Sequence, residues 1–375
     1  MMGATAQPGV SATMETPPPT LAPDEVQQLV RRLYGIDGRV DLLLGERDQN
    51  CRVETAAGER YVVKISNPSE SLAVVDFQIA ALDHICCVAP SLPVPRVVRT
   101  LGGQTHATLV LPDGSATSVR MLTYLDGVQV RETRRTATQR RAMGTFLAEL
   151  NLALRDFEHP SATHDLLWNV ATAHRLAAKV DSIEEGPRRA LVRTFMARFN
   201  RHVLPLLPHL RAQVIHNDYH LYNVLAAPQD HERIVGVIDF GDMLHAPLVG
   251  EVATAAAFHM SGPAGSGPAM SGPAMSGPAD PLLGPAQFLG AYHATLPLDE
   301  SEQEIVADLM ATRHLITVLI SEWRARRYPE NYDYIMRHNA ASWEALTLLA
   351  DLSRDQAREL LLTDVCTGPR HEQHP

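Results

Sequence analysis

The stretch VIHNDYHLYNVL, at residues 214–225, holds two histidines, an aspartate and two asparagines between apolar residues. His216 and His220 are four residues apart, which on a helix would place both side chains on one face, as zinc sites require. The residues between them are poor helix formers, however, and no glutamate follows His216 as in a zinc hydrolase. The segment is therefore interpreted as a proton-transfer and magnesium site, rather than a histidine-bound metal site or a solvated polar turn.

The residues that follow predict a β-hairpin, because the apolar segments NVLAA and RIVGVID flank the turn PQDHE. If this hairpin is centred near His231, Asn223 and Asp239 lie opposite each other, with Cα atoms roughly 4.5–5.5 Å apart. Amide and carboxylate oxygens are ligands that Mg²⁺ prefers, particularly where substrate phosphates complete its shell. Asp218 would not be a metal ligand and could then accept a proton from an incoming hydroxyl group.

The pattern HxDxxxxN followed by DFG, here at 216–223 and 239–241, is typical of enzymes that transfer phosphoryl groups. Either half alone would be a weak signal, but both together at hairpin spacing are specific. A lysine further upstream supports the interpretation. Of 33 basic residues only Lys64 and Lys179 are lysines, and Lys64 lies inside the apolar run YVVKI, where a charge is costly unless it has a partner.

The elements that would position these residues change character near residue 126. Before it, apolar residues mostly alternate, as in RVDLLL, CRVET and RYVVKIS, which predicts an antiparallel sheet crossed by one helix. An earlier helix, DEVQQLVRRLYG, is predicted to have Asp24 as its N-cap and to stop at Gly35. After residue 126 helical periodicity dominates. The predicted fold class is α+β, with a small antiparallel-sheet N-terminal lobe at 23–125 and a large helical C-terminal lobe at 126–365.

Two low-complexity segments and the overall charge limit the possible functions. Residues 1–22 are predicted to form a disordered tail, and the Gly-Pro-Ala repeats at 260–280 an unstructured insertion. The net charge of -10 argues against a surface for nucleic acid or anionic lipid. No apolar run approaches the roughly 18 residues of a membrane span, and no signal-peptide pattern is present. We therefore expect a cytoplasmic protein that acts on small molecules.

Several stretches resemble the aminoglycoside phosphotransferase and choline kinase superfamily, and within it the hydroxylysine kinases most of all. They are YVVKISNP, SVRMLTYLDG, HNDYHLYNVL, GVIDFGDM and RRYPENYDYIMRHNAASWEAL. The resemblance covers about residues 24–362, apart from the Gly-Pro-Ala insertion. It implies a protein-kinase-like bilobal fold, with a nucleotide-binding N-terminal lobe and a helical lobe that carries the catalytic and acceptor residues.

The resemblance also implies roles for individual residues. Asp218 would be the catalytic base or the group that orients the hydroxyl, and His216 would support the catalytic loop. Asn223 and Asp239 would bind Mg²⁺. Lys64 would contact the α- and β-phosphates of the nucleotide.

The acidic partner of Lys64 is left open by the sequence. In the superfamily it lies on the following helix, but here the corresponding position carries Gln78, with Asp76 two residues earlier. The loop GERDQNC, which includes Gly45 and Asp48, would cover the phosphates, although a plain hairpin turn would explain it equally well.

The remaining implied contacts concern the purine and the acceptor. Backbone groups from Thr123 to Leu125 would bind the purine edge, and such contacts do not distinguish ATP from GTP. Asp242 and Glu251 would either face the acceptor or serve as helix-capping or loop-stabilising acids. Further candidates on the C-terminal helices are Arg313, Glu322, Trp323 and Asn331.

The predicted function is transfer of the γ-phosphoryl group of ATP or GTP, with Mg²⁺, to the hydroxyl of a small molecule. An amino alcohol such as 5-hydroxylysine is the preferred acceptor. The alternatives are a kinase of the same fold for choline, homoserine, methylthioribose or an aminoglycoside, and a nucleotide-binding protein without catalysis. A protein kinase is disfavoured, because no APE-type segment follows DFG and the next helix begins too soon for an activation loop. The oligomeric state is left open.

Overall fold

The computed structural model describes residues 16–43, 45, 47–260 and 280–367. The predicted tail lies outside these residues as far as position 15, and the predicted insertion lies outside them at 261–279. Leu21, near the end of the predicted tail, exchanges two hydrogen bonds with the side chain of Gln49. Within the described part of the chain, no helix combines the length and the apolar character needed to cross a lipid bilayer.

The chain divides into two compact units. The first holds the chain up to Asp126 together with Phe157–Leu167. The second holds Gly127–Asp156 and the chain from Trp168 onward. In chain order, the elements of the first unit are α1 (Pro23–Tyr34), β1 (Gly38–Leu43), β2 (Gln49–Thr55), β3 (Arg60–Ile65), α2 (Leu72–Val88), β4 (Val97–Val98), β5 (Ala107–Val110) and β6 (Ala116–Thr123).

The first unit is built on an antiparallel sheet of six strands, in the order β1-β2-β3-β6-β4, with β5 also paired to β6. Alternating apolar residues of β2, β3 and β6 pack against α1 and form a core that includes Cys51, Val63 and Met121. Because β3 lies between β2 and β6, Lys64 has Asn50 as its neighbour on one strand and Arg120 on the other. Two cationic residues therefore lie side by side at the centre of the sheet.

Helix α1 begins differently from the prediction. Asp24 is not the N-cap, because Ala22 occupies that position and Pro23 is the first helical residue. Proline is favoured there, since the N–H that it lacks would have no partner within the helix. Asp24 instead places a negative charge in the first turn, where it complements the helix dipole. The predicted stop is confirmed, since Gly35 caps the helix with a left-handed φ of 69°.

The second unit is mostly helical, with two small antiparallel sheets in the orders β10-β9-β7 and β11-β8. Its strands are β7 (Val128–Gln129), β8 (Ala212–Ile215), β9 (Val224–Ala227), β10 (Asp230–Val237) and β11 (Leu244–Pro247). Its α-helices are α3 (Ala137–Leu154), α4 (Pro187–His202), α5 (Leu248–Ala257), α6 (Leu283–Thr295), α7 (Glu300–Arg327), α8 (Tyr332–Met336), α9 (Asn339–Ala350), α10 (Arg354–Leu361) and α11 (Thr363–Thr367). Short 3₁₀ segments lie at Val130–Glu132, Val170–Ser182, Leu207–His209, Phe240–Asp242 and Pro329–Asn331.

The predicted hairpin is present as β9 and β10, but its register differs by one residue. The turn lies between Ala227 and Asp230 rather than at His231, and two irregularities of pairing follow within β10. Asn223 is consequently opposite Ile238, whose N–H donates to the Asn223 carbonyl at 2.8 Å. Asp239 is the next residue. The prediction assumed a symmetric hairpin, whereas bulges insert unpaired residues that a simple count along the sequence does not reveal.

Candidate active site

Two antiparallel ladders in the second unit hold the residues of the predicted site. In one of them, β8 pairs with β11 and places Ile215 opposite Leu244. The other is the β9–β10 hairpin. The loop 216–223 and the segment 238–243 therefore lie side by side and are fixed at both ends. The β8–β11 pairing was missed from the sequence, because each strand has only four residues and no tight turn joins them.

His216 connects the two segments. Its ring is fully buried, its Nε2 lies 3.1 Å from the carbonyl oxygen of Ile238, and it contacts the ring of Phe240 edge-on. Burial lowers the pKa of His216, so the imidazole is neutral. With its hydrogen on Nε2, the ring donates to Ile238 and leaves Nδ1 to accept from the N–H of Asp218, at 3.3 Å. These are the contacts that a residue supporting the loop would make.

Glu251 on α5 fixes the residue before Asp218. Asn217 has a left-handed φ of 63°, which asparagine tolerates better than most residues, and its N–H donates to Glu251 Oε1 at 2.8 Å. The other carboxylate oxygen accepts from Asn151 of α3, whose own side-chain oxygen accepts from the hydroxyl of Tyr292. Both oxygens of the fully buried Glu251 carboxylate are thus engaged, which favours the loop-stabilising alternative over contact with the acceptor.

Replacing Glu251 by alanine is expected to lower the free energy of unfolding by about 2–4 kcal/mol, because two buried donors lose their acceptor and a cavity remains. Burial raises the pKa of Glu251 to about 7, against an ordinary value of 4.5. In wild type the folded state therefore holds a proton that the unfolded state has lost, and this contribution to stability falls as pH rises from 4.5 to 7. Denaturant titrations at pH 5 and pH 8 measure both effects.

The exposed Glu149 of α3 provides the control. Glu149→Ala should leave the free energy of unfolding within about 0.5 kcal/mol of wild type at both pH values. Equal stability of Glu251→Ala and wild type would show that Asn217 keeps its conformation without this carboxylate.

Asn223 and Asp218 are joined within the loop. The Asn223 amide nitrogen donates to Asp218 Oδ2 at 2.7 Å and to the Asp218 carbonyl at 3.0 Å. Because the NH₂ group makes both bonds, the amide oxygen remains as the atom for a hard cation. These two hydrogen bonds fix the distance between Asn223, the predicted metal ligand, and Asp218, the predicted base.

The Asp218 carboxylate lies in a setting that disfavours its charge. Burial and the nearby Asp242 raise its pKa to about 7, while Arg313 acts in the opposite direction. Its Oδ1 lies 3.3 Å from Nε2 of His220. Burial and Arg313 lower the pKa of His220 to about 4, so this contact joins a neutral imidazole to the carboxyl group. A carboxyl group that titrates near neutral pH suits general acid–base chemistry.

Asp239 follows directly after the hairpin and adopts a left-handed φ of 64°. Asp239 interacts electrostatically with Asp218. It is also the N-cap of the 3₁₀ segment Phe240–Asp242, whose last residue, Asp242, is buried. Among the described residues no three His, Cys, Asp or Glu side chains are grouped to hold a metal ion. A site of one carboxylate and one amide, completed by phosphate oxygens, is the kind that Mg²⁺ uses. Asn223 and Asp239 fit that description.

Two predicted acceptor residues lie on α7. Arg313 is buried, and its guanidinium lies over the rings of Trp168 and Phe258, at 4.9 and 5.5 Å from their centroids. Glu322 lies nine residues further along the helix, and its Oε1 accepts from the side chains of Asn339 and Trp343. Glu322 thus connects α7 to α9. Arg313 instead lies near enough to Asp218 to lower the pKa of its carboxyl group.

The structure of the first unit identifies an acidic partner of Lys64. The Oδ2 atom of Asp48 lies 3.9 Å from Lys64 Nζ and 3.9 Å from Arg120 Nη2, so one carboxylate serves both cations. Gln78 on α2 accepts from Arg120 at 2.8 Å. Asp76, which the sequence left open as a partner, has a half-exposed carboxylate whose Oδ1 lies 3.4 Å from Nδ1 of His106. Asp48 could not be recognised in this role from the sequence, because it lies on a loop rather than on the helix.

The other predicted nucleotide-binding residues lie in the same unit. A side chain at Gly45 would collide with the Asp48 carbonyl and with Asn50, which explains the glycine in this loop. At the end of β6, the backbone N–H of Thr123 donates to the carbonyl of Arg96. The Thr123 N–H is therefore occupied by Arg96 and is not available to a purine.

The comparison with known sequences gives the family. A sequence model of the phosphotransferase enzyme family matches residues 41–280, a span that includes the Lys64 strand, the 216–223 loop and the DFG segment. The chain belongs to this family. The predicted superfamily membership is confirmed, and the chain is a phosphotransferase that transfers a phosphoryl group to a hydroxyl group.

Individual relatives are similar along almost the whole chain. The hydroxylysine kinase of Mus musculus is 25% identical over 367 residues, covering 91% of this chain and 93% of that protein. A solved amicoumacin kinase in complex with AMP-PNP, Ca²⁺ and Ami has a TM-score of 0.63 at 12% identity, covering 90% of this chain and 97% of its own. A microcompartment-associated aminopropanol kinase has a TM-score of 0.62 at 16% identity, with coverage of 92% and 98%. The predicted α+β, protein-kinase-like bilobal fold is confirmed.

Proposed function

We propose that this phosphotransferase uses ATP or GTP with Mg²⁺ to phosphorylate the hydroxyl group of a small amino alcohol, with 5-hydroxylysine as the preferred acceptor. The observation that carries the proposal is the short connection between the Asp218 carboxylate and the Asn223 amide, 2.7 Å apart, with Asp239 next to the residue that pairs with Asn223. Similarity to hydroxylysine kinases over nine-tenths of the chain supports the choice of acceptor. The cytoplasmic location remains a prediction.

The mechanism follows from the placement of these groups. Asp218 orients the acceptor hydroxyl and takes its proton as the new O–P bond forms. The bond between the γ-phosphorus and the β,γ-bridging oxygen breaks, and a nucleoside diphosphate leaves. Asn223 and Asp239 would hold Mg²⁺, which when bound neutralises the charge on the phosphates. His216 and Glu251 keep the loop in its left-handed turn, so that little reorganisation is needed at the moment of transfer.

In the N-terminal unit, Lys64 is proposed to contact the α- and β-phosphates. Asp48 would keep its ammonium group extended, in the role that an acid on the following helix has in the superfamily. The presence of this carboxylate weakens the alternative of a non-catalytic nucleotide-binding protein, because that alternative depended on the missing helix acid.

Replacing Asp48 by asparagine is therefore expected to raise KM for the nucleotide about 10-fold, because Lys64 and Arg120 lose a shared partner and their positions relax. Steady-state kinetics with the acceptor at saturation measures this effect. Asp76→Asn is the control, since Asp76 pairs with His106, and it should leave KM for the nucleotide unchanged. Equal values for the two variants would count against Asp48 as the partner of Lys64.

The proposed function is tested by a screen of acceptors. Purified protein is incubated with Mg²⁺ and either ATP or GTP, together with 5-hydroxylysine, choline, homoserine, methylthioribose, 1-amino-2-propanol or an aminoglycoside. Release of the nucleoside diphosphate is then followed. We expect 5-hydroxylysine to give the highest kcat/KM. Faster turnover of another alcohol would show that this alcohol, and not 5-hydroxylysine, is the preferred acceptor. No turnover of any acceptor with either nucleotide would overturn the proposal.

A further inference from the structure

Arg313 of α7 is a buried cation with unused hydrogen-bonding capacity. Only 7% of the Arg313 residue is exposed to solvent. Its Nε and Nη1 atoms are buried without a hydrogen-bond partner among the described residues. A buried charged donor without a partner costs free energy, and buried charges in proteins are normally paired. A partner supplied by a ligand would account for this arrangement.

The position of Arg313 relates it to the catalytic loop. Phe258 lies under the guanidinium and also contacts the ring of His220, at 4.9 Å between centroids. His220 in turn contacts the Asp218 carboxylate at 3.3 Å. The guanidinium also lies over the ring of Trp168. Contact with two aromatic rings holds the orientation of the planar group, so Arg313 is held rigidly next to the residue proposed to bind the acceptor hydroxyl.

A second arginine lies in the same surroundings. Arg337 lies over the ring of Tyr222, at 5.4 Å from its centroid, and His338 contacts the rings of both Tyr222 and Phe258. Arg131 also lies over the ring of Tyr222, at 4.8 Å from its centroid. The region around His220 and Tyr222 thus contains permanent cations as well as the carboxyl group of Asp218. An acceptor that carries only positive charge would be repelled by these guanidinium groups. An acceptor with both signs of charge is the better match.

We propose that Arg313 binds a carboxylate of the acceptor, so that the enzyme selects hydroxyl-bearing amino acids over amino alcohols that lack a carboxylate. This inference rests on the proposed function, which it makes more specific. The guanidinium offers several donors in one plane to the two oxygens of a carboxylate, which is the pairing that arginine favours. Choline and aminopropanol have no carboxylate, and the proposal therefore separates this enzyme from kinases for those alcohols.

The competing interpretation is that Arg313 only balances the charges of Asp218 and Asp242, with which it interacts electrostatically. In that case its removal would affect every acceptor equally. A pair of acceptors that differ only in the carboxylate separates the two interpretations. 5-Hydroxylysine and its decarboxylated counterpart, 1,5-diaminopentan-2-ol, form such a pair.

The experiment compares kcat/KM for these two acceptors in wild type, Arg313→Gln and Arg313→Lys. Wild type should favour 5-hydroxylysine about 100-fold, since truncating one side of a buried charge pair has an effect of that size. In Arg313→Gln this preference should approach unity, mainly through a loss with 5-hydroxylysine, and Arg313→Lys should recover part of it. Arg326→Gln, at an exposed position of the same helix, should keep the wild-type preference.

Two results would overturn the inference. They are equal kcat/KM of wild type for both acceptors, and an unchanged preference in Arg313→Gln, whether both acceptors lose activity equally or neither does. If Arg313→Gln does not fold, Arg313→Lys is compared with wild type instead, and an unchanged preference in that variant would overturn the inference. Calorimetric binding separates this inference from the proposed function. Wild type that binds 5-hydroxylysine more tightly than the diamine but turns over neither would contradict the function and support carboxylate recognition.

Discussion

Replacing Asp218 by asparagine is expected to lower kcat on the order of 10³-fold, because general-base assistance contributes between about 10² and 10⁴ in rate. Asparagine keeps an oxygen that can accept from Asn223 but cannot take the proton of the acceptor hydroxyl. Binding of the Mg-nucleotide should remain close to wild type, since Asp218 is proposed to stay off the metal. Steady-state kinetics and calorimetry with a non-hydrolysable nucleotide measure the two quantities separately.

The same variant should be more stable than wild type when measured with EDTA and without nucleotide. Burial and Asp242 raise the pKa of Asp218 to about 7, against an ordinary value of 3.8. Between these pH values the folded state retains a proton that the unfolded state has lost, so the wild-type protein loses stability as pH rises from 3.8 to 7. Asparagine does not titrate. The advantage of the variant should therefore grow over this range and stay constant above pH 7.

The exposed Asp351 supplies a control with the same chemical change. Asp351→Asn should leave kcat and the pH dependence of stability as in wild type. If Asp218→Asn retained more than about a tenth of wild-type kcat, Asp218 would not be the base. A gain in stability together with a loss of activity would show that the folded protein holds this carboxyl group at an energetic cost for the sake of catalysis.

The sequence predicted which residues the loop brings together better than it predicted the pairing of the hairpin that follows. The spacing of His216, Asp218 and Asn223 is local, and β8 and β9 on either side hold it in place. The partner of Asn223 depends instead on the number of unpaired residues in β10, and the two irregularities there moved Asp239 one position beyond the prediction. Alternation of apolar residues identifies strands, but it does not reveal bulges.

Two other interactions were missed because they join distant parts of the chain. Glu251 and Asn151 are separated by 100 residues, yet together they hold the N–H of Asn217. A buried asparagine on an otherwise apolar helix face, in LAELNLAL, was the available signal. Asp48 was assigned to the phosphate loop, but its distance to Lys64 depends on how that loop folds over β3. Neither pairing follows from local periodicity.

Replacing Asp239 by asparagine is expected to weaken Mg-dependent nucleotide binding about 100-fold or more, since even residues that only support metal ligands contribute 10- to 100-fold. Asparagine suits the left-handed backbone of this residue, at a φ of 64°. The effect should therefore come from the lost charge rather than from strain. Calorimetric titration with nucleotide in the presence of Mg²⁺, and again with EDTA, separates the part of the affinity that depends on the metal.

Asp239→Gly provides the matched variant, because glycine relieves the left-handed conformation while it also removes the carboxylate. If Asp239 binds Mg²⁺, both variants should bind nucleotide equally weakly with and without the metal, and the glycine variant should be at least as stable as the asparagine variant. If strain at Asp239 were the important property, the two variants would differ in affinity. Wild-type affinity in either variant would remove Asp239 from the metal site and leave Asn223 without its proposed partner.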